Sequence, residues 1–338
     1  MRPITLVLPA LLSAVLAFTT TAEARVVLRL GTMVPKGSSW ELILRRMGSL
    51  WGEATDGELR LRIYPGGTVG DEGEMIRKMR IGQLQAAAIS NAGLAEIDPS
   101  AYALMLPMMF DSYDEWDYVR GQVNAELEAS LAERGFTVLA WSDVGWVYFF
   151  TKEPMQSPDD LMRMKLAGSH TETKTIDIFK WAGFNPVPIS AVDMMTGLQT
   201  GLIDSLPLPL IYAEGSQFYR QAPHMTDMKW APLQGAVVMH ENGWSKLTPG
   251  QQKEVLRITR EVGHELRTSN REQEQRSLDA MTKRGLNVVD VPEQVLNEWR
   301  AVAGKAYPRV RGDLVPAEIF DRVEKLRDEF RAQKAQQP

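Results

Sequence analysis

Apolar residues recur in this chain with two different periods, and the two alternate along it. Val26-Val27-Leu28-Arg29-Leu30, closed by Gly31, reads as a buried strand. Trp40, Ile43, Leu44, Met47, Leu50 and Trp51 then share one helical face. Leu59, Leu61 and Ile63 alternate with Arg60 and Arg62, the period-two pattern of a strand that Tyr64-Pro65-Gly66-Gly67 ends. Strand–helix–strand units of this kind build parallel sheets with right-handed crossovers. A second unit predicts a helix over 71–82 with Met75, Ile76 and Met79 inward, then a strand over 83–90. After an apolar stretch around Pro107, a helix is expected over 114–134, with Gly135 at its C′ position.

Two aromatic-rich strands are expected next, over 136–141 and 146–151, suited to carrying the chain across a hinge. In Trp146-Val147-Tyr148-Phe149-Phe150, successive side chains must take opposite faces. The large rings therefore cannot all enter one core, and some face a second layer or a cleft. Ser157-Pro158-Asp159-Asp160 and Thr248-Pro249-Gly250-Gln251 are helix starts, the second with the residues of a capping box. The helix opened at Thr248 puts Val255, Ile258, Val262 and Leu266 on one face and then turns polar. That suits either a brace between two domains or an ordinary surface helix. Beyond Arg331 the chain is polar and expected to be unstructured.

The 338 residues suffice for two ordinary domains. A net charge of −5 does not support nucleic-acid binding. The absence of cysteine excludes disulfides, thiolate metal sites and a cysteine nucleophile. His170, His224, His240 and His264 have no metal-ligand spacing, and no nucleophile elbow or phosphate-binding loop is present. The reading is therefore of a non-enzyme without metal or cofactor. At the N-terminus, Arg2, an apolar stretch from Ile4 to Phe18 and Ala22-Glu23-Ala24 form the pattern of a signal peptide over 1–24. Export to the periplasm is the expectation.

A set of weak motifs occurs in a telling order. They are Tyr64-Pro65-Gly66-Gly67-Thr68-Val69-Gly70, Arg80-Ile81-Gly82-Gln83-Leu84, Leu106-Pro107-Met108-Met109-Phe110, Asn185-Pro186-Val187-Pro188, Gly197-Leu198-Gln199-Thr200-Gly201-Leu202-Ile203-Asp204 and Gly243-Trp244-Ser245-Lys246-Leu247. In this order the chain resembles the TRAP-type (DctP-family) periplasmic solute-binding proteins. The resemblance implies an α/β, two-lobe, hinge-closing protein with a ligand cleft between the lobes. It implies a small-molecule ligand and delivery to small and large permease subunits in the membrane. The lobe limits expected are 25–147 with about 237–277, and 148–236 with about 278–315, followed by a C-terminal helix and tail over 316–338.

The departures from the family pattern bear on the ligand. Ala167 stands where the resemblance places a carboxylate-gripping arginine, and Val147 where it places a second. Leu208 and Ala191 replace a polar and an aromatic position. Guanidinium gives bidentate, charge-assisted hydrogen bonds that neutral side chains cannot reproduce. These losses predict a mainly apolar or amphiphilic ligand, lipid-like, sterol-like or aromatic. They also resemble a subgroup whose permeases associate with a tetratricopeptide-repeat protein. The alternative is a conventional organic-acid binder using a relocated cation such as Lys165, which alternation puts on the same strand face as Ala167. A third reading is a periplasmic sensor or interaction protein. The expected ligand-binding residues are Trp40, Asn91, Trp146, Tyr148, Ala167, Ser169, Ala191, Met195, Leu208 and Trp230.

Overall fold

The structure, a computed structural model, describes residues 25–336. The expected signal peptide lies outside them. The chain runs β1 (Val26–Thr32), α1 (Ser39–Glu53), β2 (Leu59–Tyr64), α2 (Glu72–Arg80), β3 (Ala86–Ser90), α3 (Asn91–Ala95), α4 (Tyr113–Glu133) and β4 (Phe136–Thr151). It continues through α5 (Pro158–Met162), β5 (Lys165–Ser169), α6 (Thr173–Trp181), β6 (Asn185–Ile189), α7 (Met194–Thr200), β7 (Ser205–Pro209), α8 (Leu210–Gly215), β8 (His224–Thr226) and β9 (Ala231–His240). It ends with α9 (Glu241–Trp244), α10 (Pro249–Lys283), β10 (Asn287–Val289), α11 (Glu293–Asp313) and α12 (Ala317–Ala335).

The main strand order is β2-β1-β3-β9-β4-β7-β5-β6. At one end β1 pairs in parallel with β2 and β3, and at the other β5 pairs in parallel with β6 and β7. Between them β4 and β9 run antiparallel along nearly their whole length. The C-terminal part of β9 pairs with β3 and the C-terminal part of β4 with β7, so this one ribbon belongs to both lobes. The two aromatic strands expected over 136–141 and 146–151 are therefore one strand. A register shift between Asp143 and Gly145 bends it without breaking it. A β-bulge absorbs an extra residue while the ladder continues on both sides. Gly145 has φ +117°, and a Cβ there would stand 2.5 Å from Glu274 Oε1, so a side chain at this position is excluded twice over.

Both faces of β4 are covered. Trp146, Tyr148 and Phe150 enter the largest core, while Val147 and Phe149 enter a second one with Trp230 and Trp299. The alternating rings thus answer to two packed layers. A third core lies under β1, where Trp40, Leu44, Met47 and Trp51 meet Val255, Ile258, Val262 and Leu266 of α10. The helix α10 is 35 residues long and starts with the capping box of Thr248 and Gln251. It packs on α1, on the middle of β4 and on α8, which makes it a brace. The C-terminal tail departs from expectation: α12 continues to Ala335. Arg331 ties it to α4 by a 2.5 Å bond to Glu115, and the Phe330 ring packs on Tyr118. A polar helix end anchored in this way is ordered by its contacts rather than by its own apolar content.

Candidate functional site

The bulge in β4 lies beside a cavity between the lobes. This interlobe cavity measures about 270 Å³ and is walled by the end of β1, by Trp40 of α1, by Ser142–Val144, by Pro207–Pro209 and by Leu233–Val237. A second chamber of about 270 Å³ lies between the sheet, helices α6 and α11, and the segment that carries Tyr102, Met105, Leu106 and Pro107. Ala92, Met194, Pro207 and Leu233 wall both, so the two are neighbours through a short neck. A recess of about 140 Å³ opens from the same neck and is lined by Asp71, Glu72, Glu96 and Glu172.

The linings of the two larger spaces are overwhelmingly apolar, and the charges in all three are of one sign. Among the described residues, no lysine, arginine or histidine lines any of the three spaces. Glu72 lines the interlobe cavity and the recess, and its carboxylate accepts from the Ser90 backbone N–H at 2.8 Å and from the Ser90 hydroxyl at 2.7 Å. Burial raises its pKa, and the Ser90 bonds only partly oppose that. Glu172 lines the chamber and the recess. Burial, with the nearby Glu72 and Glu96 charges, pushes its carboxyl up to about 7. The Tyr102 hydroxyl shares this neighbourhood and is pushed upward by burial and then by Glu172. Thr175 Oγ1, in the chamber wall, is buried without a hydrogen-bond partner.

Asp143 also reaches the interlobe cavity, but its charge is already taken. It accepts from Arg120 and, at 2.6 Å, from Arg271, while Arg271 grips Asp117 bidentately at 2.6 and 2.8 Å. Asn270 donates to the Asp143 carbonyl and accepts from the Trp40 indole N–H. Burial alone would raise the Asp117 pKa, yet the Arg271 hydrogen bonds and the Arg120 and Arg271 charges outweigh it and hold Asp117 low. Arg120 and Arg271 bond internal carboxylates, while Arg267 stands 3.8 Å from Asp143 with its Nε buried and without a hydrogen-bond partner.

Several expected ligand residues do line these spaces. Trp40 and Leu208 line the interlobe cavity, Ala191 that cavity and the recess, Ser169 the chamber and the recess, and Ala167 and Trp230 the chamber. Others do not. Trp146 and Tyr148 point to the opposite face of β4, and it is Val147 that lines the chamber. Helical phase likewise turns Met195 away, and Met194 lines all three spaces. Asn91 is consumed structurally: its amide donates to the Ala101 carbonyl at 3.0 Å, and its Oδ1 accepts from the Gln234 backbone.

Lys165 lies on the expected face but at the wrong end of β5. Ser169 is at the cleft end, and four residues of strand put Lys165 about 13 Å away. Its ammonium donates to the Gly201 carbonyl and stands 3.9 Å from Asp204. Ala167 and Val147, the positions where the resemblance placed guanidiniums, both face the chamber. Met194, Ala92, Glu72, Glu172 and the α11 wall were missed, because nothing local marks residues that meet only through tertiary contact.

The comparisons with known proteins follow the same architecture. The family model for bacterial extracellular solute-binding protein, family 7 (DctP) matches residues 30–313. The 2,3-diketo-L-gulonate-binding periplasmic protein of Escherichia coli (strain K12) is 28% identical over 277 residues, spanning 81% of this chain and 84% of that one. A TRAP periplasmic solute-binding protein from Xanthobacter autotrophicus Py2, solved with β-D-galacturonate, superposes with a TM-score of 0.82 at 20% identity, covering 89% of this chain and 99% of that one. The sugar acid binding protein of Advenella mimigardefordensis strain DPN7T, solved with galactonate, gives a TM-score of 0.85 at 17% identity over 90% and 99% of the two chains.

Proposed function

We propose a function for this chain from its family: it belongs to the bacterial extracellular solute-binding proteins, family 7 (DctP). That family comprises transport components rather than enzymes, and its members hand a small molecule to a membrane permease. Among the described residues, no helix is long and apolar enough to cross a membrane. The reading is of a periplasmic TRAP binding protein that delivers its solute to small and large permease subunits. The tetratricopeptide-repeat partner rests on the sequence resemblance alone.

Two readings of the ligand are supported by different observations. The comparisons favour an organic acid: the relatives named above carry diketogulonate, galacturonate and galactonate in their descriptions, and none speaks for an apolar ligand. The cleft chemistry favours a ligand with an apolar body and no anionic group. The observation that carries this is the absence of any cation from the cavity linings, beside two carboxyls whose pKa is raised by burial. A ligand carboxylate here would be desolvated next to Glu72 and Glu172 with no guanidinium to pair it. Arg120 and Arg271 would have to leave Asp143 and Asp117, and Arg267, though not hydrogen-bonded, stands beside Asp143 and lines none of the three spaces. Lys165, the cation named for the organic-acid reading, is engaged at the far end of its strand.

This geometry supports a TRAP binding protein for an uncharged, apolar or amphiphilic solute. Mass spectrometry of the native protein should find such a molecule retained. Calorimetry with galacturonate, galactonate and 2,3-diketo-L-gulonate should show no tight binding at neutral pH. Tight binding of any of them would overturn this conclusion and establish the organic-acid reading.

A further inference from the structure

We propose that the chamber between the sheet, α6 and α11 is a second compartment of the ligand site, which takes the unbranched apolar chain of an amphiphile whose polar head lies in the interlobe cavity. This deepens the apolar-ligand reading and rests on it.

The first support is the space itself. Interiors normally pack to crystal density, and a void of this size forfeits dispersion contacts on every wall. The chamber is kept open by small residues on both sides: Ala167 on β5, and Ala303 and Ala306 on α11. One larger side chain at any of them would fill part of it. The far wall is held by stacked and tilted rings, with Phe184 and Trp299 centroids 6.3 Å apart and Phe149 and Trp230 centroids 5.2 Å apart. Such a wall is rigid and cannot close onto the void by a simple rotamer change.

The second support is the arrangement of polar atoms. Those of Tyr102, Glu172 and Thr175 gather beside the recess, and the Tyr307 hydroxyl, elsewhere in the wall, already donates to the Pro107 carbonyl at 2.6 Å. Ser169 and Glu172 line both the chamber and the recess, and the unpartnered Thr175 Oγ1 lies in the chamber wall one helical turn from Glu172. Met194 and Ala92 wall all three spaces. A flexible thioether facing a methyl lets a narrow chain pass where a fused-ring body would have to displace both. Polar groups at one end of an apolar space orient a ligand with one polar end.

The test uses the mature protein and a homologous series of n-alkanols from butanol to tetradecanol, followed by calorimetry. Affinity should rise about fourfold per methylene until the chamber is full, then level off. In Ala303→Phe the plateau should come at shorter chains, with affinity for the longest alkanol falling at least tenfold and that for butanol unchanged. A plateau that does not move overturns the chamber assignment and leaves the apolar-ligand reading intact. Failure of every alkanol to bind, with tight binding of galacturonate, overturns both. Should Ala303→Phe not fold, a crystal of the wild-type protein with an ω-bromoalkanol decides by anomalous scattering. Bromine between α6 and α11 supports the proposal, and bromine confined to the interlobe cavity or solvent overturns it.

Discussion

The protein buries charge in two places and treats it in opposite ways. Where α4, β4 and α10 meet, Asp143 is fully buried, yet it is met by Arg120, Arg271 and the Asn270 amide. At the neck of the cleft, some strands away, Glu72 and Glu172 are desolvated with no guanidinium beside them. The first cluster pairs its carboxylates with guanidiniums, which hold the Asp117 pKa low, and joins the brace helix to the shared ribbon. The second has carboxyls poised to hold a proton. The chain therefore supplies guanidiniums generously, but spends none on its cleft.

The most damaging way to probe this contrast is Asp143→Ala. It would leave the guanidiniums of the almost completely buried Arg120 and of Arg271 to share the single carboxylate of Asp117, and a loss of about 3–5 kcal/mol in denaturant unfolding is expected. The matched change in the cleft, Glu172→Gln, should be neutral or stabilising at neutral pH. Equal losses at the two sites would show that the cleft carboxyl is structurally paired after all.

Titration gives the next largest effect. Glu172 holds its proton up to about pH 7 when folded, against about 4.3 when unfolded. A folded pKa raised above the unfolded one means that the contribution to stability is complete below about pH 4.3. It is lost as pH rises through about 7, by roughly 3–4 kcal/mol at most in the empty protein. The difference in stability between wild type and Glu172→Gln, followed from pH 4 to pH 8, should trace that loss. A flat difference would place the carboxyl in solvent.

Ala167→Arg sharpens the contrast from the ligand's side. A guanidinium driven into the chamber both fills it and must be desolvated, so binding of a long-chain alkanol should weaken by about tenfold or more. Galacturonate binding should improve if a carboxylate can then enter. Calorimetry with both ligands on both proteins checks this, and tighter alkanol binding in the variant would contradict the role given to Ala167. The smallest effect is expected for Lys165→Ala, whose ammonium is half exposed and tied to Gly201 and Asp204. Ligand affinity should stay within about twofold and stability within about 1 kcal/mol. A large loss of organic-acid binding in this variant would return the lysine to the site.

Much of the fold was legible because its signals are local. The capping residues Ser157 and Thr248, the period-two run of β2 and the helical faces of α1 and α10 each depend on neighbours within a turn or a strand. The order of weak motifs carried the two-lobe architecture. The loss of guanidinium at 147 and 167 was equally plain, since it needs only the residue at a position.

What tertiary structure alone decided is which way things face and what they meet. Alternation said that Trp146 and Val147 lie on opposite sides of a strand. Only the layers packed on β4 determined that Val147 takes the chamber side. The bulge at Asp143 turned two expected strands into one, because the ladder to β9 resumes beyond it. Lys165 shared a face with Ala167, but its distance from the cleft depended on which end of β5 the lobes enclose. The raised pKa of Glu172 arises from its burial and then from Glu72 and Glu96, while Asp143 meets Arg120 and Arg271 from two helices. Periodicity reports a residue's immediate neighbours along the chain, whereas electrostatic environment and cavity shape are set by groups far apart in sequence that only the folded chain brings within a few ångströms of each other.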